Sequence, residues 1–188
     1  TCNKQSRLIE YPMGVCTVLH LGNKIPICPQ RLLQDSQVFI DICNDYFGSI
    51  DNVLLFSEVG LNNVGTFDFV LVKHKPISSK VEDFCAVEFQ TDSTTGTGAL
   101  VKSLDDFMND KDITQQRYSY GMNTYNTIKL SFTQMMVKGQ VFEKWDKKIY
   151  WVEPVYVFEN MAQRFNLQNL DYNENDKNVF FIYDLFEQ

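Results

Sequence analysis

Two acidic residues stand in stretches where an acid is costly. Asp68 interrupts Phe67-Asp68-Phe69-Val70-Leu71-Val72, and Glu88 interrupts Ala86-Val87-Glu88-Phe89-Gln90. Both stretches are rich in β-branched and aromatic residues, as buried strands are. Side chains two apart on a strand share a face, so Glu88 and Gln90 point the same way, and if the two strands pair, Asp68 joins them. Carboxylates that converge in a half-buried site repel one another unless a hard cation neutralises them. Mg²⁺ suits such a site, held by one or two carboxylates plus water and substrate phosphate. A metal there would polarise a phosphodiester and lower the pKa of an attacking water. Strand-edge acids facing solvent give the same pattern, and the two residues alone do not choose between these readings.

A second group is Cys2, Cys16 and Cys28, spread through a segment that also holds Pro12, Gly14, Gly22, Pro26 and Pro29. Soft thiolates in turn-forming sequence suit a structural metal, which supplies organisation where apolar burial does not. With three thiols, His20 or a residue outside this chain would complete the site. Three unrelated buried cysteines fit the spacing equally well. Cys43 and Cys85 fall in apolar patterns and read as core. Five cysteines, an odd number, and no leader pattern lead us to expect a reducing, intracellular compartment of a bacterial or phage-type cytoplasm.

The elements that must position these residues follow from periodicity. Over residues 30–46 the apolar positions Leu32, Leu33, Phe39, Ile42, Cys43 and Tyr46 recur at three- and four-residue steps, with Gly48 as a stop, which predicts a helix. Residues 53–61, 66–73 and 83–90 read as consecutive elements, at least the last two of them strands, separated by Asn-Asn, Gly65 and Pro76-Ser-Ser. Residues 93–98 predict a loop, and helices are predicted over 99–108 and 124–137, the second ended by Gly139. Strands follow at 149–157 and 179–185, with a short helix over 160–165. This order predicts an α/β (α+β) domain with a central mixed sheet flanked by helices. Residues 1–31 read as a separate cysteine segment and residues 32–188 as the main domain.

The chain carries 17 basic and 24 acidic side chains over 188 residues, a net charge of −7, which taken whole speaks against a polyanionic partner. The distribution changes that reading. Residues 1–31 carry +3 and residues 117–150 carry +4, flanking an acidic block of −9 over 32–112. A metal-dependent enzyme acting on a polyanion needs such an arrangement, although solvated surface also produces it. Lys144, Lys147 and Lys148, beside Tyr150 and Trp151, are expected to contact phosphate from a loop. Lys129 and Lys138 lie nine residues apart on the predicted helix, about 2.5 turns, and so do not share a face. No apolar run approaches the ~18 residues of a membrane span.

Asp68, followed after 19 residues by Glu88-x-Gln90, resembles the PD-(D/E)xK nuclease motif in its variant with Gln for the last Lys. With Gly14-Val15-Cys16, Ile27-Cys28-Pro29-Gln30-Arg31, Ser57-Glu58-Val59 and Gly65-Thr66-Phe67-Asp68, the chain resembles the NotI-type type II restriction endonucleases. The resemblance continues through Asp92, Gly96, Gly98, Tyr120-Gly121-Met122-Asn123, Lys129, Gln134 and Lys138. It implies a nuclease core of the restriction-endonuclease type behind a four-cysteine metal motif. The family's further cysteine lies upstream of the position matching Cys2, so a fourth ligand to a structural Zn or Fe ion is expected outside this chain.

The resemblance further implies a Mg²⁺-dependent site-specific endonuclease that cuts double-stranded DNA as a homodimer, by attack of an activated water. Asp68, Glu88 and Glu58 would be metal ligands, and Gln90 would orient water or metal. Asn123, Lys129 and Lys138 would contact DNA. Phe67 stands where the motif has Pro, a turn-shaping position without chemistry. Gln90 stands where it has Lys, which removes a positive charge that can stabilise the attacking hydroxide and leaves an amide able only to hydrogen-bond. A catalytically inactive DNA-binding or scaffold protein on the same fold is the alternative. A zinc-binding interaction module fused to an unrelated domain would leave the paired acids unexplained.

Overall fold

A computed structural model of the chain describes residues 2, 7–167 and 170–185. Its centre is a mixed five-stranded sheet in the order β3-β4-β5-β8-β9. A small hairpin, β1 (Thr17–His20) and β2 (Asn23–Pro26), precedes it. Helix α1 (Gln37–Phe47) leads into β3 (Val53–Leu61), β4 (Gly65–His74) and β5 (Val81–Phe89), an antiparallel meander. Then come β6 (Thr94–Thr95), α2 (Thr97–Met108), β7 (Gly121–Met122) and α3 (Thr124–Gln134). A π-helical turn at Met135–Gly139 joins α3 to α4 (Gln140–Lys144). Strand β8 (Ile149–Pro154) pairs parallel with β5, α5 (Val155–Phe165) crosses over, and β9 (Asn178–Tyr183) pairs parallel with β8. Among the described residues no helix is long and apolar enough to cross a membrane.

Both faces of the sheet are covered, and strand alternation divides the work between them. Cys85, Val87 and Phe89 of β5 join Leu71, Tyr150 and Val152 under α1, through Val38, Ile42 and Cys43. Ala86, on the opposite face, joins Phe67, Val70, Ile149 and Trp151 under Phe142 of α4. Every residue of β8 is buried, as expected of an interior strand with a parallel neighbour on each side. Glu88 belongs by alternation to the α3–α4 face, so an acid is carried into a wall that is otherwise apolar.

Three expected boundaries move, each for a local reason. Helix α1 starts at Gln37 because Asp35 and Ser36 adopt left-handed backbone, and the preceding residues form only 3-10 turns. Residues 155–158, predicted as the end of a strand, begin α5. Pro154 is its N-cap, and Val157 and Met161, four apart, supply its buried stripe. Gly139 does not stop the helix before it. Residues 13–27 do not stand alone either: Met13, Val18, Ile25 and Ile27 share a core with Leu100 and Val101 of α2.

Gly139 lies where the π turn meets β9. A Cβ there would come within 2.4 Å of Asn178 Oδ1, which already accepts a 3.1 Å bond from Trp151 Nε1. Helix propensity alone favours Ala over Gly by about 1 kcal/mol. Overpacking costs about 1–3 kcal/mol and outweighs it here, because the clashing atom is held in place. Gly139→Ala is therefore expected to destabilise the fold in urea unfolding, and a gain in stability would contradict this account.

Candidate active site

Strands β4 and β5 bring the two acids together. Phe69 stands opposite Val87, and the backbone N–H of Phe89 donates to Asp68 Oδ2 at 2.8 Å. Asp68 is thus fixed by the strand that carries Glu88. Glu88 is 1% exposed, and burial pushes its carboxyl up to about 7; Lys138 pulls it back and the Asp68 charge adds to the rise.

Lys138 comes from the π turn. Its Nζ is 2.7 Å from Glu88 Oε1, donates to Thr66 O at 2.7 Å, and sits 5.1 Å above the Phe67 ring. Gln90 continues past the end of β5, where its N–H bonds Val152 O at 2.9 Å. Its side-chain amide donates to Gln134 Oε1 at 2.6 Å, one turn before Lys138. One stretch of helix therefore engages both Glu88 and Gln90. The N-terminus of α3 is anchored by buried Asp92, which accepts from Thr124 at 2.5 Å and Thr127 at 3.1 Å.

Glu58 lies on the neighbouring strand, between Ser57 and Val59, which pair with Phe69 and Phe67. Its backbone is left-handed (φ 54°), a strained state for this residue type. Glu58 and Asp68 line one cavity of about 270 Å³ together with Cys2, Cys28, Leu33 and Phe89.

The cysteine segment thus borders the acids. Ile27 N–H donates to Cys16 O at 2.9 Å, extending the β1–β2 ladder and setting Cys16 beside Cys28. Gly14 N–H donates to Cys2 Sγ at 3.3 Å. Burial pushes the Cys16 thiol up, and Cys28 and Cys2 add to the rise while Arg31 opposes it. The three thiols gather, yet among the described residues no group of three or more His, Cys, Asp or Glu is arranged to hold a metal ion.

The other candidate DNA contacts lie apart from this centre. Lys138 is buried and engaged with Glu88, not presented to a groove. Lys147 pairs with Asp83 at 2.6 Å and Lys148 with Asp45 at 3.4 Å, so neither is a free loop cation. Asp83 is near the start of β5 and Glu88 near its end, roughly 16 Å away at strand rise. Lys144 is exposed at the end of α4, and Lys129 is exposed over the Tyr125 ring at 4.7 Å. Asn123 precedes α3 and accepts from Asn126 at 2.7 Å. Of the basic N-terminal residues, Lys4 lies outside the described ones.

One site residue carried no signal in the sequence. Glu153 of β8 is 0% exposed, stands beside Gln90 on the α3 face, and accepts from Ser131 at 3.1 Å, while its Oε2 has no hydrogen-bond partner. Only its acidity inside an apolar strand could have marked it.

The family model for restriction endonuclease NotI matches residues 11–188, nearly the whole chain. The protein belongs to the NotI restriction endonuclease family. No curated protein matches it.

Burial raises Glu153 to about 7, with the Ser131 bond opposing. Below pH ~4.5 the group is neutral folded or unfolded; between there and about 7 the unfolded chain ionises first, so stability falls as pH rises through that window. The loss amounts to as much as about 3 kcal/mol. Glu153→Gln removes it, and urea unfolding is expected to show the variant gaining on the wild type at pH 8 relative to pH 5. An equal difference at the two pH values would contradict the assignment.

Proposed function

We propose that the protein is a Mg²⁺-dependent endonuclease on a PD-(D/E)xK-type core, hydrolysing phosphodiester bonds of double-stranded DNA at specific sites. The observation that carries this reading is the juxtaposition of Asp68 and Glu88 across β4 and β5, where the N–H of Phe89, the residue after Glu88, bonds the Asp68 carboxylate, in a chain of the NotI family. The donor set fits a hard cation: Mg²⁺ needs only one or two protein carboxylates, and buried Glu88 and half-buried Asp68 repel each other without a cation. Asp68 and Glu88 would hold it, with Glu58 across the shared cavity as a further ligand. When bound, the ion supplies a polarised phosphorus and a water of lowered pKa.

The chain's own residues do the rest. Asp68 is held in place by the Phe89 N–H and Glu88 by the Lys138 ammonium, and Gln90, fixed by Gln134, offers an amide oxygen to orient a water. Asn123 and exposed Lys129 and Lys144 are the candidate DNA contacts. A homodimer is supported by β3, a nine-residue edge strand with Leu54, Leu55 and Phe56 about half exposed. An inactive scaffold would have no need of a buried acid held against a second one in this way.

Incubation of plasmid and genomic DNA with the protein is expected to give discrete products that EDTA abolishes. Asp68→Ala should slow cleavage on the order of 100-fold or more, about 3 kcal/mol in the barrier. In a homodimer, mixing wild-type and Asp68→Ala protomers should yield nicked rather than linear plasmid. No cleavage by the wild-type protein across varied DNA would sink the reading.

The family resemblance of the Cys2, Cys16 and Cys28 positions is the ground for a structural Zn²⁺ or iron ion on these thiols, with a fourth ligand beyond these three. Elemental analysis of the purified protein is expected to find about one equivalent of Zn or Fe per chain, reduced by Cys16→Ser. A metal-free protein with full activity would exclude it.

A further inference from the structure

We infer that Lys138 supplies the positive charge that the motif position held by Gln90 lacks, and that it is the positioning residue for Glu88. This rests on the proposed nuclease reading. Glu88 is a carboxylate at 1% exposure, and the contact that balances its charge is Lys138 Nζ at 2.7 Å, with side-chain exposures of 7% and 2%. A lysine buried this deeply needs its own reason, because desolvation opposes its charge as well. Here it is met by two acceptors, Glu88 Oε1 and Thr66 O, and by the face of Phe67.

The position of the ammonium is as telling as its burial. A lysine at residue 90 would project from β5 on the same face as Glu88. That face is instead served from the helix, where Gln134 holds Gln90 and Lys138 holds Glu88 one turn later. The π turn at Met135–Gly139 contains Lys138, and such bulges concentrate at functional sites. The charge has moved from strand to helix, while the neutral amide keeps the strand position. In this place Lys138 orients Glu88 and offsets the acids before a phosphate approaches. It touches neither water nor phosphorus.

The test uses the full chain, with two readouts. Lys138→Met is expected to fold, as judged by circular dichroism and cooperative urea unfolding, and to cut plasmid with Mg²⁺ on the order of 100-fold more slowly. It should also bind plasmid DNA in EDTA about tenfold more weakly, because the acids are no longer offset. Adding Gln90→Lys to Lys138→Met should recover at least about tenfold in cleavage and restore metal-free binding. A merely structural lysine would not be rescued from the strand. Lys138→Met at wild-type rates, or a double variant as impaired in both readouts as the single one, overturns the inference. If Lys138→Met does not fold, Lys138→Gln, which can still bond Thr66 O, takes its place with the same outcomes. If the wild type does not cut DNA at all, the nuclease reading fails, and the comparison of binding in EDTA still decides the place of Lys138.

Discussion

A carboxyl buried to near-zero exposure must either give up its charge, as Glu153 does, or be paired, as Glu88 is with Lys138, and the placement of Glu88 sets the terms for much of the structure around it. Desolvating an ion costs several kcal/mol even after relaxation, and removing one member of a buried pair leaves the other uncompensated. Lys138 can meet Glu88 only if α3 runs across the sheet at a fixed height. That height is held at one end by Asp92 bonding Thr124 and Thr127, and at the other by Gly139 against Asn178. Asn178 opens β9 and accepts from Trp151, so the anchor reaches two strands beyond β5. Both ends of the helix are thus tied to the strands it must serve.

The same sheet keeps its polar chemistry at two separated ends. Toward the C-terminal end of β5 are Asp68, Glu88, Gln90 and Glu153, with Lys138 as the buried cation. At the other end Asp45 accepts from Tyr150, Tyr172 and Lys148, and Lys147 meets Asp83. The hydrogen bonds and Lys148 outweigh burial and hold Asp45 below the usual carboxylate range. The lysines before β8 therefore neutralise local acids, and the positive charge of residues 117–150 does not form a uniform rim. The net charge of −7 describes the whole surface and says little about the site.

What the sequence made legible depended on whether the signal was local. Alternation around Asp68 and Glu88 placed both acids on adjacent strands, and the register brings them together. The Gly48 stop and the limits of β3 to β5 were readable for the same reason. Lys138 was legible as a helical residue but not as the partner of Glu88, fifty positions earlier. Periodicity at 3.6 residues per turn assumes an unbroken α-helix, and a π turn adds a residue and rotates everything after it by about 100°. Lys147 and Lys148 looked like loop cations because their acids lie 64 and 103 residues away. Residues 155–158 looked like strand because Val-Tyr-Val-Phe has strand composition; tertiary packing of Val157 and Met161 prevailed.

The N-terminal segment is better understood as part of the site's wall than as an appendage. It contributes Met13, Val18, Ile25 and Ile27, the middle two from its hairpin, to a core shared with α2, so its place does not depend on the thiols alone. Pro26 O accepts from Asp92 N–H at 3.1 Å, linking the hairpin directly to the residue that anchors α3. Cys2 and Cys28 line the cavity that also holds Glu58 and Asp68. Order imposed on the thiols would therefore be felt along two routes, through the cavity wall to Asp68 and through Asp92 to the helix that carries Gln134 and Lys138. A segment too poor in apolar residues to fold by itself thus lies against both supports of the paired acids.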